Sequence, residues 1–325
     1  MRKLEAPFPW FGGKSRVASV VWERFGNVAH YVEPFFGSGA VLLGRPTPFH
    51  GLETINDKDG FVANFWRAIK QAPDETAHHA SHPVNENDLH ARHAWLVAQR
   101  NELQSRLEGD PDYCDPKIAG WWAWGLSCWI ASGFCPGTGP WQSKDGKLTR
   151  TGPSGNGISR QKIHLSNWGQ GVCRKNLGAL PYWFSQLSDR LRFVRVASGD
   201  WARVCTPAVV NSNVGAAPKG VFLDPPYSAK ADRSKGCYAV EDLSVAHDVA
   251  QWAVEHGNDP TWRIALCGYD GEHDMPEDWD VLEWKAHGGY GSQGKGNSRG
   301  KANKHRERIW FSPHCLEPKQ ASLFG

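Results

Sequence analysis

With 325 residues, 40% of them hydrophobic and 22% charged, the chain is long enough for a large α/β domain or a domain carrying an insertion, and too balanced for global disorder. Its formal charge of +3 excludes no class of partner, so local clusters of Lys and Arg matter more than the total. The N-terminus lacks the apolar run of a signal peptide and no later stretch is long enough to span a bilayer, which gives the expectation of a cytoplasmic protein.

The first motif, Pro9-Trp10-Phe11-Gly12-Gly13-Lys14, sets a flat aromatic face and a cation beside two permissive glycines, and opens a helix predicted over Lys14 to Phe25. Lys14 would suit a carboxylate; a surface turn with a core Trp is the plainer alternative. A short apolar run, Tyr31 to Glu33, predicts the first strand. It leads into Glu33-Pro34-Phe35-Phe36-Gly37-Ser38-Gly39, where glycines at alternate positions allow a sharp turn and close approach of the backbone to a ligand. The second predicted strand, Leu52 to Asn56, is followed by Asp57, whose carboxylate can accept hydrogen bonds from ribose hydroxyls. A glycine turn alone is weak, but together with that acid it points to a nucleotide-like ligand. Apolar residues at three-to-four spacing predict a helix over Gly60 to Gln71.

Residues 72–174 read first as helices, Leu89 to Leu107 and Ile118 to Ile130, and then as loops over Ala131 to Gly171, dense in Gly, Pro, Ser and Trp. A sheet enzyme does not need such a segment to close its core, so it reads as an inserted lobe, with Trp141 and Trp168 as candidate stacking surfaces. The expected division is a catalytic domain in two parts, 1–72 and 175–316, the lobe at 73–174 between them, and a tail at 317–325.

After a helix predicted over Lys175 to Leu191 and a strand over Phe193 to Ala197 comes Ser198-Gly199-Asp200-Trp201. The fourth strand, Val221 to Asp224, ends in Asp224-Pro225-Pro226-Tyr227, the most specific signal in the chain. Prolines fix φ and lack an N–H, so carbonyls in such a turn can face a ligand without an internal competitor. An exocyclic amino nitrogen conjugated with its ring is a poor nucleophile. Two acceptors, the Asp224 carboxylate and the Pro225 carbonyl, can take its two hydrogens and localise its lone pair, while Tyr227 offers a stacking face. A helix over Leu243 to His256 and strands over Arg263 to Cys267, Val281 to Lys285 and Ile309 to Ser312 complete the pattern. Seven strands separated mostly by helices predict an α/β fold with a largely parallel sheet.

Lys295, Arg299, Lys301, Lys304 and Arg306 lie in a Gly/Ser/Asn-rich stretch that would suit phosphate contacts, or would form a solvated loop. Lys230, Arg233 and Lys235 follow the proline turn. The eight cysteines are scattered without zinc-ligand spacing, and His78, His79 and His82 have no flanking carboxylate or cysteine signature, so no metal is expected.

The Trp10-to-Lys14 motif, the Glu33-to-Gly39 loop, Asp57 and the Asp224-to-Tyr227 turn, in this order, resemble the Dam-type DNA adenine methyltransferases. The resemblance implies a seven-stranded, mostly parallel Rossmann-like sheet, a partly helical target-recognition insert and transfer of a methyl group from S-adenosylmethionine to the N6 amino group of a flipped-out adenine in double-stranded DNA. Carried over, Trp10 and Lys14 would contact the cofactor, Glu33, Phe35, Gly37, Ser38 and Gly39 would form the loop at its methionine end, Asp57 would meet its ribose and Asp200 its adenine. Asp200 also reads as an ordinary helix cap. Cytosine amino methylation uses the same chemistry, but enzymes of that kind usually carry Ser where this chain has Asp224. A non-catalytic DNA-binding module and an RNA substrate also remain open. The insert does not match the family's recognition hairpin residue by residue, so no target sequence follows. The last residues, with Gln320, Leu323 and Phe324, resemble the peptide by which bacterial proteins dock on the replication sliding clamp, or form a frayed tail.

Overall fold

The computed structural model describes residues 4–8, 10, 14–129, 134–135, 141–144, 147–150, 180–226, 244–284 and 306–318, with 141–144 and 147–150 described by their backbone alone. Seven strands form one sheet: β1 (His30–Glu33), β2 (Leu52–Asp57), β5 (Val194–Ser198), β6 (Lys219–Leu223), β7 (Trp262–Tyr269), β8 (Asp280–Glu283) and β9 (Glu307–Phe311). Their order is β5-β2-β1-β6-β7-β9-β8. The pairs from β5 to β7 are parallel, and β9 runs antiparallel to both β7 and β8. From β1 the chain winds outward through β2 to β5 on one side, then returns to β6 and β7 on the other, so the winding reverses between β1 and β6.

All seven predicted strands are present, and they form the mostly parallel, seven-stranded α/β sheet that the sequence predicts. Period-two alternation supplies both faces. Tyr31, Phe222, Ala265 and Cys267 join one core, and Val32, Val221, Leu223, Ile264 and Leu266 join the other. Phe193, expected in a strand, lies one residue before β5 and is 87% exposed, because the edge strand begins only where Val194 turns inward. Asp224 likewise falls just beyond β6, in the turn.

On the first face lie α1 (Ala18–Phe25), α3 (Gly60–Gln71), α4 (Pro73–Ala80), α5 (Glu86–Gly109), α6 (Pro116–Cys128) and α7 (Leu180–Leu191). The short α2 (Ala40–Leu43) follows the glycine loop on that side. The other face carries α8 (Pro207–Val210) and α9 (Val245–Gly257). Several helices start where an Asx side chain accepts a backbone N–H: Asp59 from Phe61, Asn85 from Asn87 and Asp88, and Asp115 from Ile118 with Pro116 at the first position. Leu89, Leu96, Leu103, Leu107, Ile118 and Trp122 share one core with Tyr31, Phe61 and Phe65, so the helices before Trp129 pack on the sheet layer itself.

Within the stretch read as loops, β3 (Trp141–Lys144) and β4 (Lys147–Arg150) pair antiparallel, a correction to that reading. Asp-Gly between two short runs is a strong hairpin signal, and Asp145-Gly146 stands between these two. The flanking runs, Trp-Gln-Ser-Lys and Lys-Leu-Thr-Arg, have too little apolar alternation to register as strands.

Candidate active site

The C-terminal ends of β1, β2, β5 and β6 open onto one cleft of about 730 Å³, counting the space open to solvent at its mouth, lined among others by Trp10, Phe35, Gly37, Asp57, Asp200 and Asp224. It sits at the reversal between β1 and β6, where the crevice outside a doubly wound sheet receives ligands.

The loop after β1 is shaped by its glycines. Gly37 and Gly39 take φ of +48° and +69°, in the left-handed region that side chains avoid. A Cβ on Gly37 would stand 2.3 Å from Trp10 Nε1 and one on Gly39 2.6 Å from Phe36 Cζ. Trp66 Nε1 donates to the Gly37 carbonyl at 2.9 Å and so ties the loop to α3. Trp10 packs edge-on against Phe8 and Trp122, which sets its ring over the loop. Ser38 is buried within this turn.

Asp57 at the end of β2 closes the loop from the other side. Its Oδ2 accepts from Gly37 N–H at 2.9 Å and its Oδ1 from Asp59 N–H at 2.9 Å. Burial raises its pKa to about 7, helped by the charge of Asp59 and opposed by the backbone N–H donors of Asp59, Gly37 and Lys58. Asp59 also lines the cleft, capping α3 with its side chain, and burial raises its pKa too, against the pull of Arg100. The sequence reading missed Asp59, although an acid directly before an apolar helix is a cap signal. Buried Asn56 donates from Nδ2 to the carbonyls of Pro34 and Gly199, each at 3.0 Å, so one amide joins the turns after β1 and β5 across β2.

Asp200 lines the cleft and caps a short 3-10 turn, Trp201–Arg203, by accepting from Ala202 N–H at 3.0 Å, the helix cap that its sequence context also offers. Trp201, also missed, faces Phe35 with ring centroids 6.3 Å apart and 28° between planes, and both rings line the cleft.

At the other end stand Asp224 and Pro226, with Pro225 buried between them. Lys14 reaches this end: its Nζ lies 2.9 Å from Asp224 Oδ1, 4.0 Å from Glu307 Oε2 on β9 and 5.6 Å from the Trp284 ring centre. Burial works against the Lys14 ammonium, but the surrounding Asp224, Cys267 and Glu307 outweigh it and raise its pKa. Lys14 is thus brought to the proline turn and is not among the residues lining the cleft. Glu33 is buried behind the loop, accepts from the Tyr31 hydroxyl at 2.8 Å and is bonded by the Leu42 backbone. Burial pushes its pKa well up, with Asp224 adding to the effect.

Arg306 lies apart from the cleft lining; its guanidinium donates to the Asp270 carbonyl at 3.2 Å and lies 5.5 Å from the Tyr269 ring centre. Tyr227, Lys230, Arg233, Lys235, Lys295, Arg299, Lys301, Lys304, Trp168, Gln320, Leu323 and Phe324 lie outside the described residues. Among the described residues no group of three His, Cys, Asp or Glu is placed to hold a metal ion, and no helix is long and apolar enough to cross a membrane.

A glycine loop after the first strand and a carboxylate-proline turn after a neighbouring one, sharing a cleft at the winding reversal, fit the class of Rossmann-like methyltransferase folds. Residues 10–111 match the family model of D12 class N6 adenine-specific DNA methyltransferase, and no curated protein matches the chain. The matched span includes Trp10, Lys14, the glycine loop, Asp57 and Asp59. The match supports a Dam-type, adenine-specific DNA methyltransferase.

Proposed function

We propose that the chain binds S-adenosylmethionine in the cleft between the glycine loop and Asp200, and methylates the N6 amino group of an adenine swung out of duplex DNA, with Asp224 as the acceptor that activates the amine. The observation that carries this reading is that one cleft gathers the glycine loop, two acids at the end of β2 and Asp224. The lining fits the cofactor's chemistry. At Gly37 a side chain would collide with Trp10, which leaves a backbone surface for close approach. Asp57 and Asp59 supply acceptors for ribose hydroxyls, and Phe35 and Trp201 supply apolar ring surface beside Asp200. When bound, S-adenosylmethionine supplies an electrophilic methyl carbon on a positively charged sulfur.

The rest falls to this chain's own groups. The Asp224 carboxylate accepts one amino hydrogen and the Pro225 carbonyl the other, so the lone pair is drawn out of the ring. Asp224 also stands ready to take the proton that the amine releases. Stacking on Tyr227, worth roughly 1–3 kcal/mol per base, offsets much of the cost of removing the base from the duplex. For duplex contact, the β3–β4 ribbon has a shape that a major groove admits, and its sequence carries Lys144, Lys147 and Arg150. The Lys295, Arg299, Lys301, Lys304 and Arg306 stretch adds further cations for phosphates, and the salt dependence of duplex affinity would count them. A cytoplasmic location agrees with a DNA substrate.

Asp224→Ala is expected to lower single-turnover methyl transfer to duplex DNA by roughly 10²- to 10⁴-fold, with calorimetric affinity for S-adenosylmethionine changed little. Normal turnover by this variant would remove Asp224 from the mechanism. Nucleoside mass spectrometry of the product reads the methylated atom directly.

A further inference from the structure

Lys14 and Glu307 come from the two ends of the chain, one before α1 and the other opening β9, the one reversed strand of the seven-stranded sheet. Both are buried, at 5% and 3% exposure, and they meet at the proline turn. Lys14 Nζ is 2.9 Å from Asp224 Oδ1 and 4.0 Å from Glu307 Oε2. A buried ammonium between two carboxylates is costly to assemble, and it is tolerated only where the charges compensate one another. Among the described residues, Glu33 from β1 and Cys267 from β7 also face this cluster. Burial raises the pKa of both, and Lys14 is the cation placed within 2.9 Å of the Asp224 carboxylate.

We propose that Lys14 and Glu307 are positioning residues for Asp224: the ammonium, held from behind by Glu307, keeps the Asp224 carboxylate ionised and turned so that it meets the target amine as an acceptor. The inference rests on the reading of Asp224 as that acceptor and extends it to residues 210 positions upstream and 83 downstream of Asp224. Electrostatic reciprocity gives it a direction. The attraction that raises Lys14 acts equally on its partner, so loss of the cation makes the Asp224 carboxylate easier to protonate. It also leaves two carboxylates facing each other, and removal of Glu307 then relieves part of the repulsion.

The experiment is the pH profile of single-turnover methyl transfer, with enzyme saturated by cofactor and duplex. Calorimetric affinity for S-adenosylmethionine and a melting curve accompany each variant. Lys14→Met is expected to move the acid limb upward by roughly one to three pH units, with cofactor affinity within about threefold of wild type, in keeping with Lys14 itself lying outside the cleft lining. Lys14→Arg restores the limb by restoring the cation. Adding Glu307→Gln to Lys14→Met brings the limb back down, whereas two purely structural lesions would only compound each other. An unmoved limb in Lys14→Met, or a double variant no different from the single one, overturns the proposal. If Lys14→Met fails to fold, Lys14→Arg and Glu307→Gln decide it: the first must keep the wild-type limb, and the second must lower the transfer rate at constant cofactor affinity. Normal turnover by Asp224→Ala would sink the catalytic reading itself, a separate outcome from failure of the Lys14 and Glu307 variants in an enzyme that still needs Asp224.

Discussion

At the Gly37–Gly39 end of the cleft, position is set by backbone groups: a left-handed turn, the Trp66 indole on a carbonyl, Asn56 on two more, and Asp57 on two N–H donors. At the Asp224 end it is set by charge, with a lysine and a second carboxylate drawn from opposite termini of the chain. The first arrangement fixes a surface whose shape must match a ligand. The second fixes the ionisation of one group. A shape built from hydrogen-bonded turns is lost through steric or unsatisfied polar changes, whereas a charge cluster is lost through changes of sign or pH.

The largest effect on the shape-built end is expected at Asn56. Asn56→Ala removes both bonds from its amide and strands the Pro34 and Gly199 carbonyls, at a cost of about 2–4 kcal/mol in unfolding free energy by urea titration. A loss under 0.5 kcal/mol would mean that the turns after β1 and β5 hold themselves, and the contrast between the two ends would blur. Gly37→Ala comes next. The new Cβ meets Trp10 at 2.3 Å on a backbone already at φ +48°, so about 1–3 kcal/mol of strain appears, and S-adenosylmethionine affinity falls by roughly 10- to 100-fold. The acid limb of methyl transfer stays where it is in this variant. A shifted limb would show that the two ends are not independent.

How much of this was legible in the sequence follows the same division. Strands appeared because each carries its own short apolar run, and β1 and β6 are buried along their whole length. The glycine loop, Asp57 and the proline turn were legible because each is a local word whose chemistry depends on neighbours in sequence. Strand order was not legible, nor was the reversal of β9, because pairing is decided between segments far apart in the chain. For the same reason the motif of Lys14 gives its charge but not the carboxylate 210 residues away that it meets. Asp59 and Trp201 escaped notice one or two positions beyond residues that were singled out, where a cap and a turn aim them into the cleft. The β3–β4 hairpin was hidden by polar strands, although its Asp-Gly pair was in view.

The smallest expected effect is the most diagnostic, because it concerns a titrating group whose carboxylate holds the glycine loop of the shape-built end. Burial and the neighbouring Asp59 raise Asp57 from an ordinary 3.8 to about 7, despite the N–H donors that favour its charged form. A raised carboxyl pKa means that the native state binds its proton more tightly than the unfolded chain does. Through this group, unfolding free energy therefore falls as pH rises from about 4 to about 7. Ribose hydroxyls need an acceptor, so cofactor affinity should run the other way and rise as Asp57 ionises. One proton released on binding gives at most about a tenfold change per pH unit, and roughly tenfold tightening of S-adenosylmethionine binding is expected between pH 6 and pH 8. Asp57→Asn should flatten both trends, at reduced affinity, since the amide presents a donor to one of the N–H groups that the carboxylate accepts. Calorimetry across that range, paired with urea titrations, reads the two slopes. Slopes of the same sign would show that the proton on Asp57 does not compete with the cofactor, and the role of ribose acceptor would pass to Asp59.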